Sequence, residues 1–177
     1  EQAEVYVRVN TLKSGKAKLL ERFASEKTKL LEVDAHPEAL RLERRENIFR
    51  HPLFTEGWFE VQDAGSQQIA PFLKPEPGQL VIDACAGAGG KSLHLAALMK
   101  NKGRIIALDV ELRKLEELRR RARRAGAHII EARQIDGESA IGSLSGKADR
   151  VLLDVPCSGL GVLKRNPDTK WKLTGPV

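Results

Sequence analysis

The sequence predicts an α/β protein built on a parallel sheet and preceded by a small α+β unit, and three observations carry that reading. Four short apolar runs, Leu80–Ala84, Arg104–Leu108, His128–Ala132 and Arg150–Asp154, alternate with helical segments, which is the pattern of parallel strands joined by helical crossovers. A glycine-rich turn follows the first of these strands, where such sheets bind ligands. The first 60 residues show no such alternation, and the 177-residue length suits one moderate domain or a small one with an appendage.

Taken in order, Val5–Val9 reads as a strand and Ser14 to about Ser25 as a helix with Ala17, Leu20, Phe23 and Ala24 inward. Ala39–Glu43 and Trp58–Val61 read as further strands, with a turn-rich connector over Arg44–Gly57. This α+β unit occupies residues 1–60; residues 61–177 form the second region. There a helix is predicted over Ala64–Leu73, followed by the loop Lys74–Gly78 and the strand–helix alternation. A helix over Val110–Ala125 places Leu112, Leu115, Leu118, Ala122 and Ala125 inward and ends at Gly126.

Composition narrows the function. No apolar stretch approaches the roughly 20 residues of a membrane helix, and Glu1-Gln2-Ala3-Glu4 does not resemble a secretory signal, so a cytoplasmic location is expected. Two cysteines make neither a disulfide framework nor a four-ligand zinc site, and no metal is expected. Residues 1–60 hold 11 basic and 11 acidic side chains, so the whole net charge of +6 falls in residues 61–177. Arg119–Arg124 give the long helix an arginine face, either a solvated surface or a stripe that meets phosphates. Lys164, Arg165, Lys170 and Lys172 beside Trp171 form the better candidate for contact with nucleic acid.

The glycine-rich turn is Cys85-Ala86-Gly87-Ala88-Gly89-Gly90-Lys91, between Asp83 and Ser92. It fails the Walker phosphate loop because Cys85 stands where the first glycine belongs, and it fails the dinucleotide fingerprint because Ser92 replaces the third glycine. An acidic strand tip followed by small residues is how the S-adenosylmethionine (SAM) sites of Rossmann-like methyltransferases begin. Asp109 closes the second strand at the spacing of a ribose-binding acid, and as a helix N-cap the same residue has a second reading. Asp136-Gly137 follows the third strand, either as a plain turn or placed to meet an adenine edge. After the fourth strand comes Asp154-Val155-Pro156-Cys157-Ser158-Gly159-Leu160-Gly161, in which Cys157 lies in a small-residue loop rather than a core pattern.

Asp83–Ser92 and Asp154–Gly161, with Val61–Gln67 upstream and Arg165–Asp168 downstream, resemble the RNA cytosine-C5 methyltransferases of the Sun/Fmu type. The resemblance covers residues 58–172 and, more faintly, the N-terminal unit, for which it implies RNA binding by residues 1–60. It implies a Rossmann-like class I SAM-dependent methyltransferase core, incomplete here, with SAM as cofactor and RNA, most simply 16S ribosomal RNA, as partner. It also implies that a cysteine thiolate adds to carbon 6 of cytosine so that carbon 5 attacks the methyl group. Cys157 is then the thiol that assists product release, Asp154 binds the cytosine edge near the cofactor, and Cys85–Lys91, Asp109, Asp136 and Asp154 hold the cofactor. Lys91 reads equally as a structural partner of Asp154. Ala88 departs from the proline common in the family loop. The attacking cysteine is expected beyond Val177, so this polypeptide is expected to hold the cofactor without turning over. A DNA methyltransferase with Cys157 as nucleophile and a non-catalytic RNA-binding module are the alternatives; an oxidoreductase is disfavoured by Ser92.

Overall fold

A computed structural model describes residues 3–24, 29–34, 36–137 and 141–155. The first sheet is antiparallel and consists of β1 (Tyr6–Val9), β2 (Leu30–Glu32), β3 (Ala39–Leu42) and β4 (Phe59–Val61), in the order β2-β3-β1-β4. Helix α1 (Lys16–Phe23) covers it, and a 3-10 turn (Ile48–Arg50) and α2 (Pro52–Thr55) lead into β4. Its core is Val7, Val9, Leu19, Phe23, Leu40, Leu42, Ile48, Leu53 and Phe59. Three expectations change here. On α1 the buried residues are Leu19 and Phe23, whereas Ala17 and Ala24 are exposed. The connector carries ordered turns capped by Asn47 and His51. β2 was not anticipated, because three residues give too short a pattern to register. The sheet also reaches Val61, paired with Val7, and so runs across the expected boundary at residue 60.

The helix expected over residues 64–73 is two short ones, α3 (Ala64–Gln67) and α4 (Ile69–Phe72). Pro71 has no N–H to give the Gln67 carbonyl, so the ladder lapses between them. Gln67 instead folds its side-chain amide back onto the Gln62 carbonyl at 2.9 Å, and Gln62 reaches Ser66, which makes Gln62–Gln67 a rigid joint.

The second sheet is parallel: β5 (Leu80–Asp83), β6 (Arg104–Asp109), β7 (Ile130–Gln134) and β8 (Arg150–Leu152), in the order β7-β6-β5-β8. β7 lies two residues further along than predicted. The order places β5 between β6 and β8, so the chain reverses its direction of travel across the sheet at β5 and opens a crevice at that strand's carboxyl end. β6 is buried from Ile105 to Asp109, as a strand covered on both faces must be.

Helix α5 (Gly90–Leu98) buries Ser92–Ala97 without a polar face, because β6, β7 and the helices α3, α4 and α6 pack around it; His94 meets His36 edge to face. Helix α6 (Leu112–Ala125) is amphipathic, with Leu115, Leu118, Ala122 and Ala125 buried. Leu112, expected inward, stays 47% exposed in the first turn. Gly126 takes the left-handed conformation (φ +72°) that ends the helix.

The two units are locked together by Asn10. Its side-chain N–H groups donate to the carbonyls of Gly57 and Ala125, both at 2.8 Å, and its oxygen accepts from Leu12 N–H. Gly57 lies so close to α6 that a Cβ there would fall 2.1 Å from the Arg124 carbonyl oxygen. Asn10→Ala strands two buried carbonyls and is expected to lower stability by about 2–4 kcal/mol in urea denaturation.

Candidate cofactor site at the carboxyl end of the parallel sheet

The turn after β5 is fixed to both neighbouring strands. Ala84 N–H donates to the Leu152 carbonyl on β8 at 2.9 Å, and Ala86 N–H donates to the Leu108 carbonyl on β6 at 2.8 Å. Gly87 (φ +54°) faces open space, so a ligand can approach its backbone, whereas Gly89 (φ +85°) is pressed against α6, where a Cβ would sit 2.6 Å from Leu118 Cγ. One glycine opens the cradle and the other seats it on the helix behind.

Asp109 stands at the end of β6 facing this turn. Its Oδ2 accepts the Gly87 N–H at 2.8 Å and its Oδ1 accepts the Glu111 N–H at 2.9 Å. It is not the helix N-cap: α6 begins at Leu112, and Asp109 lies two residues before the Glu111 cap. With two backbone donors holding it, the carboxylate keeps further acceptor positions for a ligand's hydroxyl groups. Asp136 is exposed just past β7, and Ile135 N–H bonds the Asp109 carbonyl, so the two acids follow adjacent strand ends.

Asp83, 1% exposed, accepts the Ser92 hydroxyl at 2.6 Å. Burial raises its pKa above the usual carboxylate value, against the lowering effects of the Ser92 bond and the Lys91 charge. Lys91 forms an ion pair with Asp154, just beyond β8. Cys85 is a free, half-buried thiol in the turn, beside buried Ala86. Cys157 and the basic group Lys164, Arg165, Lys170 and Lys172 lie outside the described residues.

The arginine face of α6 is neither wholly solvated nor wholly available to phosphates. Arg121 and Arg124 both bind Glu60 of β4, whose side chain is 2% exposed, and Arg119 donates to the Ala132 carbonyl. A charge pattern along one helix cannot reveal a carboxylate from a distant strand.

Sequence reasoning also missed a buried polar pocket behind α5. His94 is 2% exposed, and among the described residues neither ring nitrogen has a hydrogen-bond partner, nor do the Nε and Nη1 atoms of buried Arg8. His36, Glu38 and His94 offer ligand atoms within 4.8 Å of one another, but the Arg8 guanidinium acts on the same pocket and opposes a cation there. Burial first, then Arg8 and His36, lower the His94 pKa to about 2.

The fold is that of the class I SAM-dependent methyltransferases. The crystal structure of PH0851 superposes with TM-score 0.92 at 32% identity, covering 98% of this chain and 40% of that one. A methyltransferase homolog from Pyrococcus horikoshii superposes with TM-score 0.80 at 34% identity, covering 93% and 54%. The family described as 16S rRNA methyltransferase RsmB/F matches residues 70–175, and the chain belongs to that family. It is 38% identical over 166 residues to the probable ribosomal RNA small subunit methyltransferase B of Bacillus subtilis (strain 168), covering 93% of this chain and 37% of that protein.

A neutral His94 yields a pH test. Its folded pKa lies below the unfolded value, so its full contribution to stability is present above about pH 6.5 and declines as pH falls toward the folded value. The expected loss is about 1.4 kcal/mol per pH unit below 6.5. In His94→Gln this contribution disappears, and the fall in stability between pH 6.5 and 5 is expected to flatten.

Proposed function

We propose that this protein is a SAM-dependent RNA methyltransferase that forms 5-methylcytosine, with 16S ribosomal RNA as substrate and the cytoplasm as its location. The observation that carries the reading is the coupling of Asp109 to Gly87: a carboxylate at one strand end and an open glycine turn at the next, joined at 2.8 Å at the switch point of a parallel sheet.

The residues fit the cofactor. Gly87 leaves room for it along the backbone, Cys85–Lys91 supply the cradle, and Asp109 accepts the ribose hydroxyls with lone pairs its two backbone donors leave over. Asp136, past the next strand, takes the adenine edge. When bound, SAM supplies an electrophilic methyl group on a sulfonium centre.

Asp154 receives the cytosine edge. Its ion pair with Lys91 orients the carboxylate, which can accept a hydrogen bond from a ring that gains positive charge as the base is activated. Cys157, three residues on, supplies the thiol that assists product release. No described helix is long and apolar enough to cross a membrane. The N-terminal unit carries a groove of about 720 Å³ lined by Tyr6, Arg45, Asn47, Phe49, Gln62 and Asp63. It ends beside the turn, since Gln62 Nε2 lies 4.0 Å from where a Gly90 Cβ would stand. Glu4 and Glu46 also line this groove, so the proposed contacts to RNA are the basic residues Lys164, Arg165, Lys170 and Lys172 instead.

Titration calorimetry with SAM tests the cofactor site. Wild type is expected to bind, and Asp109→Ala to bind roughly 10- to 100-fold more weakly, as loss of a charge-assisted hydrogen bond implies. Equal affinity in the two proteins would remove Asp109 from the site. Transfer of labelled methyl from SAM to cytosine carbon 5 in 16S ribosomal RNA by the intact protein tests the substrate.

A further inference from the structure

Arg121 joins three parts of the molecule that are distant in sequence. Its Nη1 donates to the Ala88 carbonyl in the glycine turn at 2.8 Å, and its Nε and Nη2 donate to Glu60 Oε2 at 3.2 and 2.9 Å. Glu60 lies on β4 in the N-terminal unit, and its other oxygen accepts Arg124 at 2.5 Å. Arg124 is held in turn by Phe54, whose ring it covers at 3.9 Å.

One arginine suffices to neutralise one buried carboxylate. Arg124, stacked on Phe54 and bonded to Glu60, already does so, which leaves the second cation without an electrostatic need. What distinguishes Arg121 is its third bond, to Ala88. That carbonyl sits between two left-handed glycines, Gly87 and Gly89, where the peptide planes are freest to rotate. The turn is therefore pinned at two successive residues. Asp109 holds the Gly87 N–H from within the parallel-sheet core, and Arg121 holds the Ala88 carbonyl from the joint with the N-terminal unit.

We propose that Glu60 is a positioning residue for the cofactor turn: by orienting Arg121 it fixes the direction of the Ala88 carbonyl, and through it the N-terminal unit sets cofactor affinity. This rests on the reading that Cys85–Lys91 cradle SAM. Glu117, one helical turn before Arg121, shares with it a second, smaller cleft that Glu60 and Ala88 also line. Without Glu60, the Glu117 carboxylate on the same helix competes with the Ala88 carbonyl for Arg121.

The test is a double-mutant cycle on the intact protein, with calorimetric Kd for SAM and Tm read in parallel. Glu60→Gln and Arg121→Met are each expected to raise Kd about 10-fold, a usual size for coupling between sites. Combined, they should raise it no further, because both break one relay. Arg124→Met is expected to lower Tm while leaving Kd within about twofold, since it touches Glu60 but not the turn. A purely structural role would move Tm in all the variants and Kd in none, and that result overturns the proposal. So does an additive loss of affinity in the double variant. Should Glu60→Gln not fold, Glu60→Asp keeps the charge but withdraws the carboxylate by one methylene, and an unchanged Kd in both it and Arg121→Met is equally fatal. Absence of SAM binding by the folded wild type would sink the cofactor reading and this inference together, whereas wild-type binding with unaffected variants sinks this inference alone.

Discussion

The turn from β5 into α5 is the constraint on which the rest of the site depends. A strand and a helix that are both buried must be joined within a few residues, next to a crevice that has to stay open. A stretch of backbone in that position cannot satisfy its polar groups with water alone, and it carries two glycines that by themselves prefer no conformation. The surrounding structure supplies the missing definition. Leu152 and Leu108 hold the start of the turn through their carbonyls, Asp109 holds its middle, Leu118 closes off the space behind Gly89, and Arg121 takes the Ala88 carbonyl. Strands β6 and β8, helix α6 and, at one remove, β4 all contribute to its shape.

Much of this was legible in the sequence, for reasons that can be named. β5 and β6 announce themselves because strands covered on both faces read as unbroken apolar runs, and α6 because Leu115, Leu118, Ala122 and Ala125 repeat at helical spacing before a glycine. The same spacing rules put Asp83, Asp109 and Asp154 at strand ends. Local pattern fails where a second partner decides the outcome. Leu112 has the right spacing for the core but sits in a first turn that projects past it, and Ala17 lies on the side of α1 that Leu19 and Phe23 turn toward water.

The arginines illustrate the limit most clearly. From the sequence they form one basic stripe, yet Arg119, Arg120, Arg121 and Arg124 have four different environments: a strand carbonyl, a carboxylate one turn away, a carboxylate in another unit together with a loop carbonyl, and an aromatic ring. Contacts across 61 and 64 residues of sequence decide the fate of two of them. His94 is a similar case. Nothing in Gly90–Leu98 marks it as other than one polar residue in an apolar helix, and only its enclosure beside Arg8 and His36 makes it a group that resists protonation.

The Asn10 bridge also bears on the order in which the chain is made. Domains fold largely as units during synthesis, the N-terminal part first, and the core around Val7, Leu19, Leu40 and Phe59 is complete once β4 has emerged. One acceptor of Asn10, the Gly57 carbonyl, is available at that stage; the other, at Ala125, lies 115 residues downstream. Until α6 is made, the nascent unit therefore carries a half-satisfied amide, and a Glu60 that lacks its two arginine hydrogen bonds and faces Arg8 of β1, on the face that will become the joint. That polar surface discourages premature association with other apolar chains, and it is covered when the correct helix arrives with Arg121, Arg124 and a free C-terminal carbonyl in register.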